Sequence, residues 1–260
     1  MFKTHNYSLL NKAIEPSGSF VYNFIVMKIL LTNDDGYNAR GIAVLKRCLS
    51  KYGRVIIVAP SRPMSAQSTS LTVGKGMQLI YHGEDTYSFS GTPADCVAFA
   101  LSSMDFDFDI VVSGCNEGLN ISYDTIYSGT IGACLEACVF RKKSIAISCH
   151  VNDFEKVEEN FDKLWMYINK RHLLGTRYLL NVNFPRDDVL GIEIGRLHYR
   201  KDEFYFVKEE DGFHAYRKCE TDFDAFKGTD EYQVSHGIIS IVPLARTNFS
   251  EEIYNELIHR

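Results

Sequence analysis

The sequence predicts an α/β fold: three layers, a doubly wound and mostly parallel sheet, and a β-hairpin arm near the C-terminus. Three observations carry this. Short, wholly apolar runs alternate with amphipathic helical patterns, as expected for parallel strands covered on both faces. The runs end in polar loops with glycine or serine, where open α/β sheets keep their ligands. Finally, 260 residues with 45% apolar and 23% charged side chains support one large core.

The elements follow in order. MKILLT (27–32) reads as the first strand, RGIAVLKRCLSKYG (40–53) as a helix and RVIIVAP (54–60) as the next strand. TPADCVAFALSSM (92–104) opens with Thr-Pro and carries Asp95 in its first turn, an ordinary helix start. DIVVSG (109–114), the helix GTIGACLEACVFRKK (129–143) and SIAISC (144–149) continue the alternation. Phe154, Val157, Phe161, Leu164, Trp165 and Ile168 recur at helical spacing and predict a core-facing helix over 153–172. RYLLNVNFP (177–185) reads as a strand, and the Tyr- and Phe-rich stretch 192–219 as extended segments turning at Asp211-Gly212. GIISIVPL (237–244) is the last predicted strand, with a short tail helix after it. Residues 1–26 read as an irregular N-terminal extension, and residues 27–260 as one domain whose β-rich arm lies near 191–236.

Composition removes several function classes. A net charge of -5 offers no broad basic surface, so no long nucleic acid is expected. No apolar run approaches the roughly 20 residues of a membrane span, and the N-terminus lacks a secretory centre. The seven cysteines form no C-x-x-C pair, which favours reduced thiols in a cytoplasmic protein over a disulfide or zinc framework. P-loop, dinucleotide and nucleophile-elbow signatures are all missing.

The chemistry concentrates at strand ends. The first strand delivers Asn33, Asp34, Asp35 and Gly36, two adjacent carboxylates before a glycine. Like charges so placed call for a compensating cation, and oxygen donors suit Mg²⁺ or Mn²⁺. A plain turn capping the next helix is the alternative for this segment taken alone. The second strand delivers PSRPMSAQSTS, rich in hydroxyls, and DIVVSG delivers GCNEGLN, with Asn116 and Asn120 among its amides. Ser128, Gly129 and Thr130 open a helix whose N–H groups could hold an anion.

Taken together, MKILLTNDDG, VAPSRPMSAQSTSLT, SGTPADCV, IVVSGCNEGLN, YDTIYSGTIGACLEA, LLNVNFP and TDEYQVSHGIISIVPL resemble the SurE family of stationary-phase survival proteins, which are metal-dependent 5′/3′-nucleotidases. The motifs stand in the family's order over about Met27 to Leu244. The resemblance implies hydrolysis of nucleoside 5′- and 3′-monophosphates, with short polyphosphate as a further substrate. It implies one divalent ion per subunit, Mg²⁺ or Mn²⁺, held by Asp34, Asp35, Ser65 and Asn116, with the two aspartates catalytic. Phosphate binding is expected at Asn33, Gly36, Asn120, Ser128, Gly129 and Thr130, with Gly91, Thr92, Pro93 and Asp95 walling the pocket. A homodimer or homotetramer that exchanges its C-terminal hairpins is the expected assembly. The chain departs from the family's G-P-N-x-G loop at Leu119 and Ser122, and also at Thr69 and Ile238. The competing readings are an aspartyl-phosphate phosphatase, disfavoured by D-D instead of D-x-D spacing, and a nucleotide-binding protein without turnover.

Overall fold

Parallel strands buried on both faces need side chains that are apolar in every direction, and the central strands here have them. In the computed structural model the described residues are 26–199, 203–218, 226–245 and 257, with the backbone of two further strands, Leu10–Ile14 (β1) and Phe20–Phe24 (β2). The central strands are Met27–Thr32 (β3), Gly53–Pro60 (β4), Ile110–Glu117 (β7), Lys143–Cys149 (β8) and Tyr178–Asn183 (β9). With Leu79–Gly83 (β5), Thr86–Phe89 (β6), Gly191–Ile194 (β10) and Ile238–Ala245 (β13), they make a nine-stranded sheet of order β10-β13-β9-β8-β7-β3-β4-β6-β5. All pairs from β6 through β4, β3, β7 and β8 to β9 are parallel; β5 on β6 and β13 on β9 are antiparallel.

Strand periodicity sorts the core into two layers. Ile29, Leu31, Val55, Ile57, Ile110 and Val112 face helices Arg40–Leu49 (α1) and Phe154–Lys170 (α5). Leu30, Ile56, Val58 and Val111 face the other way, onto Pro93–Ser103 (α2) and Gly129–Val139 (α4). Each such buried side chain stabilises the fold by roughly 1.5–3 kcal/mol. The helix after β3 therefore crosses one face and the helices after β7 the other, although β3 and β7 are neighbours. A crevice opens between their C-terminal ends, the place where α/β sheets keep their sites. Both strand ends carry candidate ligands: Asp34 and Asp35 after β3, Asn116 at the end of β7.

The structure adds to the expected elements. Strands β5 and β6 were not legible in the sequence, and Leu10–Ile14 pairs antiparallel with Phe20–Phe24 in the stretch read as irregular. The arm is more divided than expected. Its first piece, β10, joins the main sheet beside β13, and only Glu203–Glu209 (β11) and Gly212–Lys218 (β12) form a separate hairpin. The hairpin turn lies one residue earlier than predicted, at Glu210–Asp211, because Gly212 takes a ladder position opposite Glu209. The stretch 230–235 is helical (Asp230–Ser235, α6), capped by Thr229, whose side chain accepts from the N–H of Tyr232. The predicted tail helix lies outside the described residues except for Leu257, which is helical.

Helix α6 brings a second acidic pair into the interior. Asp230 (0% exposed) accepts hydrogen bonds from the N–H groups of Ser122 (2.9 Å), His198 (3.0 Å) and Glu231 (3.0 Å). Glu231 (1% exposed) lies 2.6 Å from His198 Nδ1. Ser122 itself has φ +52°, where the family pattern has glycine, so a serine here occupies a left-handed position.

Candidate functional site

Asp34 is buried, and the first turn of α4 holds it. Its Oδ1 accepts a 2.6 Å hydrogen bond from the Thr130 hydroxyl, and the backbone N–H groups of Gly129 and Thr130 also act on the carboxylate. This is anion binding at a helix N-terminus, with the anion supplied by the chain itself. Glycine at 129 is required sterically, since a Cβ there would stand 2.9 Å from Asp34 Cβ and 3.2 Å from Pro93 Cγ. Burial still lifts the Asp34 carboxyl above its usual range, against the lowering effect of Thr130 and the N–H groups.

Asp35 has fewer partners. Burial, then the charge of Asp34, push it up to about 6; the N–H of Glu117 lowers it and the Glu117 carboxylate raises it again. Among the described residues, the two charged groups acting on Asp35 are thus both acidic. Glu117 places this carboxylate next to Asn116, at the end of β7. The strand bends at that point: the register shifts between Gly114 and Asn116, and Gly114 (φ +128°) lies so close to the Ile147 carbonyl that a Cβ would stand 2.2 Å from its oxygen. Asn116 donates its Nδ2 to the Gly118 carbonyl at 2.7 Å, a bond in which its Oδ1 takes no part.

The loop after β4 closes the third side. The N–H of Met64 donates to the backbone oxygen of Asp34 at 2.7 Å, bringing Ser65 beside the acidic pair. The donors so gathered are two carboxylates, a hydroxyl and an amide oxygen, a hard oxygen set around an excess of negative charge. Such a set fits a divalent hard cation and suits neither zinc nor copper.

The remaining predicted residues take more local positions. Asn33 is fully buried and spends its amide on the turn: Nδ2 donates to the Gly36 carbonyl (2.9 Å), and the Gly36 N–H donates to its Oδ1 (3.1 Å). Ser128 is the N-cap of α4, its hydroxyl oxygen accepting from the Ile131 N–H at 3.2 Å. Asn120 sits in a buried polar network, its Nδ2 donating to Ser148 Oγ (2.9 Å) and its N–H to Asn183 Oδ1 (2.8 Å), while Asn181 Nδ2 donates to its carbonyl (2.8 Å). The first turn of α4 thus holds Asp34, and Asn33, Gly36 and Asn120 bond within the loops beside it.

Thr92 and Asp95 form a reciprocal capping box on α2, which Pro93 begins. Asp95 also accepts from the N–H (2.9 Å) and hydroxyl (2.7 Å) of Thr72, and the Thr92 hydroxyl donates to the Ser70 carbonyl (2.6 Å). Gly91 packs directly against Asp95 and Met77. This box anchors the loop after Ser65 and walls a cavity of about 460 Å³ that Ser65 and Thr92 share with Arg62 and Lys75. Sequence reasoning missed both cations and Glu117; the basic residues flanking the hydroxyl-rich loop were the available signal.

Known proteins resemble the chain in sequence and in fold. A sequence model of the family described as "Survival protein SurE" matches residues 29–203. A protein of Mannheimia succiniciproducens described as "5′-nucleotidase SurE" is 38% identical over 229 residues, covering 84% of this chain and 92% of its own. One of Clostridium botulinum with the same description is 36% identical over 245 residues, covering 86% and 96%. The crystal structure of the SurE protein from Aquifex aeolicus matches with a TM-score of 0.78 at 30% identity, covering 89% of this chain and 98% of that one.

Proposed function

The chain belongs to the SurE family, and from that premise we propose that it is a metal-dependent 5′-nucleotidase, hydrolysing the phosphate ester of nucleoside monophosphates at the crevice between β3 and β7. The observation that carries the reading is the unequal treatment of two adjacent carboxylates. Asp34 is pinned by Thr130 and a helix N-terminus, whereas Asp35 meets acidic charges and a single N–H group. A cation is the partner this arrangement lacks.

We assign one divalent ion, Mg²⁺ or Mn²⁺, to Asp34, Asp35, Ser65 and Asn116, which supply only oxygen atoms. Such an ion supplies charge neutralisation for a phosphoryl group and activation of water. The chain's own part is preorganisation. The Asn33–Gly36 bonds fix the turn that aims both carboxylates, and Thr130 holds one Asp34 oxygen so that the other is presented in a constant direction. Asp35, the less tied of the two, is the carboxylate we assign to proton transfer.

A homodimer or homotetramer fits the hairpin β11–β12, which exposes Phe204, Phe206 and Phe213 at 57%, 68% and 71%. A cytoplasmic setting fits the six described cysteines, all of them buried. Among the described residues no helix is long and apolar enough to cross a membrane.

The test is release of inorganic phosphate from nucleoside 5′- and 3′-monophosphates with Mg²⁺ or Mn²⁺, with EDTA, and with Asp34→Asn. Metal-dependent turnover that the substitution abolishes is expected. Turnover surviving both treatments sinks the reading.

A further inference from the structure

We propose that the cavity beside Ser65 is a subsite for a second phosphate on the substrate, so that the enzyme prefers nucleosides bearing two phosphate esters, 3′,5′-bisphosphates, over nucleoside monophosphates. The inference rests on the nucleotidase reading above and refines its substrate.

The cavity measures about 460 Å³, within the roughly 300–1,000 Å³ of small-molecule sites, and shares Ser65 with the proposed metal site. The proposed metal site and the cavity thus meet at this side chain, and a substrate held at the first has the second as its neighbour. Its walls carry two cations, Arg62 and Lys75, and no Asp or Glu. Neither cation has an ion-pair partner among the described residues. Asp95, which accepts from the cavity residues Thr72 and Thr92, has turned its carboxylate into the α2 cap and onto Thr72, so its oxygens are already bonded. Lys75 stands between Gly74 and Gly76, neither of which has an atom within 4 Å of where a Cβ would be, and so can approach a ligand from the open side.

The chemistry of the lining selects the ligand group. A nucleobase is neutral and is commonly held by ring stacking, but the cavity has no aromatic side chain. Two unpaired cations with the hydroxyls of Thr72, Ser90 and Thr92 match a phosphate dianion instead. The scissile phosphate is held at the acidic pair, so these cations are available to another one. During turnover, water oxygen bonds to the phosphorus at the acidic pair, the ester P–O bond breaks and the ribose oxygen leaves with a proton. The second phosphate remains intact in the cavity.

The experiment compares kcat/KM for adenosine 3′,5′-bisphosphate, 5′-AMP, 3′-AMP and tripolyphosphate in the wild type, Arg62→Gln, Lys75→Gln and the double variant. The wild type is expected to favour the bisphosphate over either monophosphate by about tenfold or more, and each single variant to lower that ratio by about tenfold. Both side chains are exposed, so melting temperatures close to the wild type will show that the fold is unaltered. A wild-type ratio at or below one, or a ratio unchanged in the variants, overturns the proposal while monophosphate turnover still stands. If tripolyphosphate hydrolysis alone depends on Arg62 and Lys75, the ribose-borne phosphate is overturned. If no nucleotide is hydrolysed, the nucleotidase reading itself falls.

Discussion

Asp34–Asp35 and Asp230–Glu231 are both adjacent carboxylate pairs brought into the interior, and they are handled in opposite ways. At α6 three backbone N–H groups converge on Asp230, and the imidazole of His198 meets Glu231. The pair is satisfied by its own protein and ties α6 to the loop after β7. At the end of β3 only Asp34 receives comparable support, from Thr130 and the α4 N-terminus; Asp35 is left against Asp34 and Glu117. Two neighbouring acids in a sequence therefore carry little information alone. What separates a structural pair from a chemical one is the number of donors the fold brings to each oxygen.

The largest test removes the chemical pair. Asp34→Asn is expected to lower kcat/KM for nucleoside monophosphates by about 10³-fold or more, since the carboxylate proposed to hold the metal and its fixed orientation go together. Steady-state phosphate release measures it. Asp230→Ala should act on stability instead: two buried N–H groups and one partly buried one lose their acceptor, a cost of roughly 3–5 kcal/mol in urea unfolding. A D230A protein as stable as wild type would erase the contrast between the pairs.

Smaller effects sharpen it. Thr130→Val keeps the shape and removes the hydroxyl on Asp34, and about a tenfold fall in kcat is expected. Asp35→Asn should stabilise the metal-free protein by on the order of 1 kcal/mol, a figure discounted because the group is only partly buried, and should abolish the rise in melting temperature caused by Mn²⁺. The pH dependence has a definite sign. Asp35 has its folded pKa raised to about 6 from 3.8, so its contribution to metal-free stability is present below about 4 and lost as pH rises through about 6. Metal binding must displace that proton, so Mn²⁺ affinity measured by calorimetry should weaken by about tenfold per pH unit below 6.

Much of this was legible in the chain. Strands β3, β4, β7, β8 and β9 announce themselves because a parallel strand covered on both sides must be apolar throughout, and Ser128 and Thr92 announce helices because hydroxyls cap them. The acidic pair stood out as a charge conflict at a strand end. Strands β5 and β6 were hidden: β5 is an exposed edge, and the turn joining them sets Glu84 and Asp85 at φ +47° and +55°, a geometry usually signalled by Asn-Gly or Asp-Gly. The direction of the α4 N-terminus was hidden too. Whether a helix end binds a substrate phosphate or a side chain 96 positions away depends on tertiary placement, which local pattern does not encode. The same holds for Asn120, whose partners Ser148 and Asn183 arrive on later strands.

The bond between Thr130 and Asp34 also sets a schedule for the protein's synthesis. Asp34 leaves the ribosome early, but the helix that aims it is translated 96 residues later, and Asn116 comes only shortly before. A growing chain, or a fragment released before residue 130, has the acidic pair without the hydroxyl that holds Asp34. The orientation of Asp34 is thus a property that only a chain made past its midpoint can have.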